Sequence, residues 1–424
     1  MKFNIYFSTY FILIAIIIVA CSGSRNIGNM NYAYLYKPTK DLNPDFIVYH
    51  VNPTTSRIYF RVPKNDIEFK KVTVDDEATA RLRLSTKLYS SYNNQFPVDT
   101  ASSYYTKREN EIIDFNGIQY IIDSLDIRVQ MGANYTLQLM FTDLNQSKFY
   151  NYTINIEKSS INNRQQFRIT DENEMLLFNY YFNRDDIVYL EHNKNSTTIF
   201  VRYYKRDFPL AAPAFANTTY QPFNYNADST FTINAVQNKF QLALKKEGFY
   251  HLQVDSLNDK EGITFFVFGN NFPNVSSPEN LLEPLRFITS REEYEEIKMA
   301  ENMKLQVEKF WLNAGGSYER ARELIKKYYS RVYQANILFS SYKEGWKTDR
   351  GMIFLIFGMP NIVNKTSSSE VWIYGEENNM MSLNFTFYKV TNPFTDNDYI
   401  LDRSIIYKNN WYRAVESWRQ GRIY

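Results

Sequence analysis

Gly345-Trp346-Lys347-Thr348-Asp349-Arg350-Gly351 runs directly into Met352-Ile353-Phe354-Leu355-Ile356-Phe357, closed by Gly358-Met359-Pro360-Asn361. This stretch ends one texture of sequence and begins another. Six apolar residues between glycines are short for a helix and read as a buried strand. Upstream, apolar residues recur at helical spacing. Ser290 with Glu293 forms a capping-box signature. Tyr294, Ile297, Met303, Val307, Phe310 and Trp311 then follow mostly helical spacing as far as Gly315-Gly316. Ser317 caps a second helix, with Ala321, Leu324, Tyr328, Val332, Ala335 and Phe339 on one stripe. Downstream, Glu370-Val371-Trp372-Ile373-Tyr374 and Ser382-Leu383-Asn384-Phe385-Thr386-Phe387-Tyr388 read as strands of the same sheet. Trp411, Val415 and Trp418 mark one apolar edge of a closing helix. Residues 283–424 are therefore expected to form an α+β unit: helical hairpin, antiparallel sheet, C-terminal helix.

Further upstream the period falls to two. Arg57-Ile58-Tyr59-Phe60-Arg61-Val62, Ala80-Arg81-Leu82-Arg83-Leu84-Ser85 and Tyr135-Thr136-Leu137-Gln138-Leu139-Met140-Phe141-Thr142 alternate apolar and polar residues. Asn52-Pro53, Phe115-Asn116-Gly117 and Asp143-Leu144-Asn145 punctuate them. Residues 31–160 are thus predicted to form one antiparallel, immunoglobulin-like β-sandwich. The same texture returns over residues 165–271, in Thr198-Ile199-Phe200-Val201-Arg202-Tyr203-Tyr204 and Ile263-Thr264-Phe265-Phe266-Val267-Phe268. A second sandwich is the simplest reading, its late strand entered through Gly248. The predicted fold class is multidomain and mainly β, two sandwiches followed by the α+β unit.

Composition bounds the function. With 48 basic and 46 acidic side chains in 424 residues, net charge is +2. No basic field exists to hold a phosphate backbone, which argues against dedicated nucleic-acid binding. The 35 Tyr and 32 Phe supply enough apolar surface to exclude intrinsic disorder.

The first residues carry Lys2 and then a run from Phe11 to Ala20, a secretory signal over residues 1–20. Cys21 is the only cysteine, and Ile18-Val19-Ala20-Cys21 resembles the bacterial lipobox. That resemblance implies cleavage before Cys21 and acyl chains, palmitate among them, on its sulfur and new amino group. The plainer alternative is an ordinary signal peptide with an incidental cysteine. Residues 21–30 read as a lipidated, polar tether. Acylation of Cys21 leaves no disulfide, so packing must stabilise the fold, and several buried chains anchor durably.

Gly345, Trp346, Thr348 and Asp349, with the Gly358-Met359-Pro360 turn after them, resemble the GWxTD domain, a C-terminal module of lipoproteins in the Bacteroidota. The resemblance covers residues 283–424 and implies location and architecture more than mechanism, the family having no assigned reaction. In surface-exported lipoproteins of that phylum acidic residues often follow the cysteine, whereas Arg25 is basic here, which favours an outer-membrane anchor facing the periplasm. A fainter similarity is to the small lipoprotein subunit of the β-barrel assembly machinery, through Phe357-Gly358-Met359-Pro360 and Trp372-Ile373-Tyr374. In that family the segment before the Gly-x-Pro turn is helical, whereas Met352 to Phe357 reads here as a strand.

Within the motif, Gly345 suits a helix C-cap at positive φ and Trp346 a ring buried against the sheet. Thr348 and Asp349 are suited to accepting backbone N–H bonds. Such a loop is either a structural hinge or a site for a partner or ligand. No catalytic site, cofactor or metal site is expected. His50, His192 and His251 lack paired spacing, and no Gly-x-Ser-x-Gly elbow accompanies them. The aromatic load either fills cores or exposes rings, as in Tyr89-Ser90-Ser91-Tyr92 and Tyr220-Gln221-Pro222-Phe223, to sugars or a partner. Thr100, Ser124, Ser229 and Ser256 each follow Asp and resemble O-glycosylation acceptors of exported Bacteroidota proteins.

The expected function is a non-enzymatic envelope lipoprotein, an adaptor or scaffold subunit with membrane and envelope-protein partners. The alternative is a glycan-binding or glycan-processing lipoprotein.

Overall fold

A computed structural model describes residues 27–37, 42–71, 73–115, 117–194, 196–218, 221–257, 260–269 and 271–422. The signal, Cys21, residues 22–26 of the tether and Tyr220 lie outside the described residues.

Sandwich 1 holds strands β1 (Asp45–Asn52), β2 (Thr55–Pro63), β3 (Thr79–Tyr89), β4 (Asp99–Arg108), β5 (Ile113–Phe115), β6 (Ile118–Arg128), β7 (Asn134–Asp143) and β8 (Lys148–Glu157). They form two antiparallel sheets, β1-β2-β6-β5 and β4-β3-β7-β8. The alternation in β2 turns Ser56, Ile58, Phe60 and Val62 inward, against Leu82, Leu84, Leu137 and Phe141. Sandwich 2 holds β9 (Phe167–Thr170), β10 (Ile187–His192), β11 (Thr198–Tyr204), β12 (Ser229–Asn234), β13 (Phe240–Ala243), β14 (Gly248–Gln253) and β15 (Ile263–Val267). Its sheets are β13-β10-β9 and β12-β11-β14-β15. Gly248, at φ +128°, turns the chain into β14 in a conformation that L side chains rarely adopt.

The C-terminal unit is α+β. Helices α1 (Pro278–Leu282), α2 (Arg291–Met299), α3 (Met303–Gly315), α4 (Tyr318–Phe339), α5 (Asp349–Phe357) and α6 (Lys408–Arg419) surround the antiparallel sheet β16-β17-β18-β19. Its strands are Ile362–Lys365, Ser369–Tyr374, Leu383–Lys389 and Tyr399–Leu401. The first arm of the expected hairpin is split. The capping box of Ser290 and Glu293 starts α2, the chain breaks after Met299, and Asn302 recaps α3.

Two expectations about elements and boundaries are overturned here. Met352 to Phe357 is not a strand but the body of α5. Thr348 Oγ1 accepts the Gly351 N–H at 3.0 Å and starts the helix. Residues 349 to 356 are all buried, so no polar face breaks the run into a helical stripe. The other correction concerns the N-terminal boundaries. Ile27, Tyr32, Ala33 and Tyr36 belong to the C-terminal core rather than to a tether or sandwich 1. Tyr32 N–H donates to Val363 O at 2.8 Å, and Asn31 Oδ1 accepts from Val363 N–H at 3.0 Å. These bonds satisfy the edge strand β16, which would otherwise face water unpaired.

Sandwich 2 shares a core with the C-terminal unit. Its β11–β12 connection crosses over: Ala211 N–H donates to Lys347 O at 3.3 Å and Ala214 O accepts from Ser404 N–H at 3.1 Å. Phe208 and Phe223 pack with Tyr342 and Phe394, rings 4.8–5.5 Å apart.

Candidate functional site

Three stretches of backbone meet at the motif. Residues 345–347 form a single 3-10 turn wedged between α4 and α5. A Cβ on Gly345 would fall 1.8 Å from Ala335 O in α4, and a Cβ on Gly351 would fall 1.9 Å from Gly345 O. Only hydrogen fits at either place. Gly345 is thus required for close approach; the positive φ expected of it is not observed. Its N–H donates to Ser340 Oγ at 2.9 Å, at the end of α4. The buried ring of Trp346 lies edge-on to Phe287, centroids 6.1 Å apart.

Thr348 bridges the turn and the next helix. Its hydroxyl donates to Gly345 O at 2.7 Å while accepting from Gly351 N–H. Asp349 reaches the sheet: Oδ2 accepts from Leu401 N–H at 2.7 Å and from Arg403 Nη1 at 3.0 Å, and Oδ1 pairs with Arg403 Nη2. Downstream, Gly358 ends α5 at φ +80°, with Arg331 Nη2 2.7 Å from where its Cβ would lie. Arg331 Nη1 caps the helix at Leu355 O, 2.8 Å away. Pro360 is buried beyond it. Both oxygens of Asp349 and the Thr348 hydroxyl are therefore spent on holding elements together.

Behind the motif lies a buried charge cluster. Glu370, on β17, is fully buried. Oε1 accepts from Arg350 Nη1 at 3.2 Å and Lys365 Nζ at 2.6 Å; Oε2 accepts from Tyr36 OH at 2.7 Å and Trp372 Nε1 at 3.1 Å. Burial alone would raise this carboxyl's pKa, but Lys365 and Arg350 outweigh it and hold it at about 2. Arg350 also lies over the Tyr399 ring, 3.9 Å from its centroid, and Nη2 donates to Asn397 O at 3.0 Å. Asn397 in turn donates to Leu338 O and Ser340 O at the end of α4. Sequence reasoning missed this cluster. The available signal was Glu370 two residues from Trp372, hence on the same face of a strand whose indole is buried.

The GWxTD domain family matches residues 248–420. The chain carries a GWxTD domain. The match reaches back through β14 and β15 of sandwich 2, the strands that pack against the α+β unit through Phe249 and Phe266. No curated protein matches the chain. Among solved structures it is similar to one titled BspA_C_mut, at 12% identity over 49% of this chain and 92% of that one. The TM-score is 0.17 and that likeness carries no argument.

A cleft of about 480 Å³ opens beside the motif, between sandwich 2 and the GWxTD domain, lined by Phe208, Phe249, Tyr294, Tyr342 and Lys347. Lys347 Nζ lies 3.3 Å from Glu283 and also pairs with Glu344. Burial would lower its pKa, but these carboxylates raise it.

Of the ring runs singled out, Tyr89 and Tyr92 are buried and Phe223 is half-buried. Thr100 and Ser229 are exposed on β4 and β12, whereas Ser124 and Ser256 are half-buried. The three histidines are buried in separate places. His50 Nε2 faces Glu157 O at 2.8 Å and Nδ1 faces Ser56 Oγ at 2.9 Å. His251 bridges Lys260 O and Thr264 Oγ1, each at 2.8 Å. Among the described residues no cluster of His, Cys, Asp and Glu is arranged to hold a metal, and no helix is long and apolar enough to cross a membrane.

Proposed function

We propose that this protein is a lipid-anchored, non-enzymatic adaptor or scaffold of an outer-membrane biogenesis or secretion assembly, facing the periplasm. The observation that carries the reading is an exposed apolar surface on the GWxTD domain. Ile405 and Ile406 are 67% and 71% exposed on the turn leading into α6. Exposed Tyr412 follows within α6, its ring 5.4 Å from Phe215 of sandwich 2. Exposed aliphatic and aromatic side chains this close together in the chain are the composition of a protein contact. The motif supports the same reading, because its polar groups are engaged inside the fold and hold that surface on a rigid base.

The fainter similarity to the small subunit of the β-barrel assembly machinery now has a helix before its Gly-x-Pro turn, which removes the departure noted in the sequence. It remains an analogy of architecture. The test is affinity purification of the tagged, lipidated protein from native membranes. Stoichiometric recovery of outer-membrane barrel or secretion subunits supports the scaffold. Recovery of the protein alone contradicts it and directs attention to glycans.

A further inference from the structure

The N-terminal segment is wedged between β16 and the connection from β3 to β4. Gly28 N–H donates to Tyr92 O at 2.9 Å. The Tyr32 and Tyr92 rings meet edge to face at 6.2 Å. A Cβ on Gly28 would lie 3.3 Å from both Tyr92 O and Lys365 O. Past Tyr92 the connection turns outward. Phe96 is 74% exposed and Val98 57% exposed. The loop is not loose at its base, because Val98 N–H donates to Leu88 O at 2.7 Å. An aromatic ring and a branched side chain are thus held in water on a loop whose ends are fixed.

The position of this loop relative to the anchor follows from chain length. Cys21 is six residues before Ile27, and six extended residues reach roughly 20 Å at most. Ile27 is already buried in the GWxTD core. The acyl chains on Cys21, which belong to the anchor reading above, therefore hold the contact between Gly28 and Tyr92 close to the bilayer surface. The other end of sandwich 1 is far from it. β3 has 11 residues between Thr79 and Tyr89, which at a strand's rise spans roughly 33 Å. Val74, 89% exposed, lies in the connection before Thr79.

We infer that the loop bearing Phe96 and Val98 is a second membrane contact, which enters the headgroup boundary of the same phospholipid leaflet that holds the acyl chains. This rests on the lipid-anchor reading. The occupant is a bilayer surface because the short tether keeps one within reach of this loop. Apolar side chains at that boundary, Phe among them, leave water for the acyl margin. Acyl chains alone would let the protein swivel about its tether. A second contact fixes one face, with β3 leading away from the membrane.

The test uses the full, lipidated chain. Acylated Cys21 has no free thiol and the chain has no other cysteine, so an introduced cysteine is labelled alone. Phe96→Cys and Val74→Cys variants each receive a bimane fluorophore. Both are reconstituted in vesicles of phosphatidylethanolamine and phosphatidylglycerol, with and without a nitroxide on the acyl chains. Bimane at position 96 is expected to shift to shorter wavelength and lose emission to the nitroxide, while bimane at position 74 does neither. Intact mass of the same samples reads the acyl chains. An acylated protein in which both positions respond alike overturns the loop contact and leaves the anchor standing. A chain without acyl chains overturns both.

Discussion

Tyr36 donates its hydroxyl hydrogen to Glu370 Oε2 at 2.7 Å, across 334 positions of the chain. The bond ties the N-terminal segment to the charge cluster behind the GWxTD motif. Tyr36 also packs its ring, tilted, against Phe339 and Trp372, with centroids 5.3 and 5.2 Å away. Residues 27–36 are thus a structural part of the C-terminal domain.

Removing either partner of this bond should be costly. Tyr36→Phe keeps the ring and leaves Glu370 one donor short, at an expected cost of about 1–3 kcal/mol. Glu370→Gln leaves Arg350 and Lys365 without their counter-charge, at about 3–5 kcal/mol. Denaturant unfolding followed by tryptophan fluorescence measures both, because all five tryptophans lie in the GWxTD domain. Equal and small losses would contradict the ranking.

The glycines of the fold are not equivalent. Gly345→Ala forces a methyl group into Ala335 O, and the expected loss is at the top of the ~1–3 kcal/mol range for overpacking, or beyond it. Gly316, at φ +70°, has open space around its Cβ position. There Gly316→Ala costs only backbone strain, about 1 kcal/mol. Thermal unfolding of the two variants in parallel separates close approach from conformational freedom.

The Thr348 hydroxyl both donates and accepts. Thr348→Ala should cost about 1–2 kcal/mol through the lost cap. Thr348→Ser, which keeps the hydroxyl, should recover most of that loss. A Ser variant as unstable as the Ala variant would place the role in the methyl group instead.

Acid should weaken sandwich 1 through His50. Burial depresses the His50 pKa to about 4, against about 6.5 in an unfolded chain. Between those values the unfolded state binds the extra proton, so stability falls as pH falls from about 6.5 through about 4, by about 3 kcal/mol in all. Glu370, held at about 2, adds a second loss as pH falls below about 4.3, the ordinary glutamate value. Circular dichroism melts at stepped pH should show the first slope flatten in His50→Gln.

Local pattern made much of this fold legible. The alternation of β2, β3 and β7 and the apolar stripe of α4 are one-faced, and one-faced elements display their period. Helix α5 is buried all round, so its sequence has no stripe to read. Residues 27–36 are short and partly polar, and their partners Val363 and Glu370 lie more than 300 residues away. No local period can signal such a contact. Gly345 stands out in the sequence, but the reason for it exists only once the backbone of α4 is in place.

If the GWxTD motif holds the domain together and the surface around Ile405 and Ile406 makes the proposed partner contact, the two roles separate on substitution. The most direct measurement is co-purification from native membranes with the lipidated wild type and an Ile405→Asp, Ile406→Asp double variant, each with its melting temperature. Envelope subunits are expected to come with the wild type and to be lost from the double variant, while the melting temperature is unchanged. Partners retained by a double variant that has lost its apolar surface would contradict it.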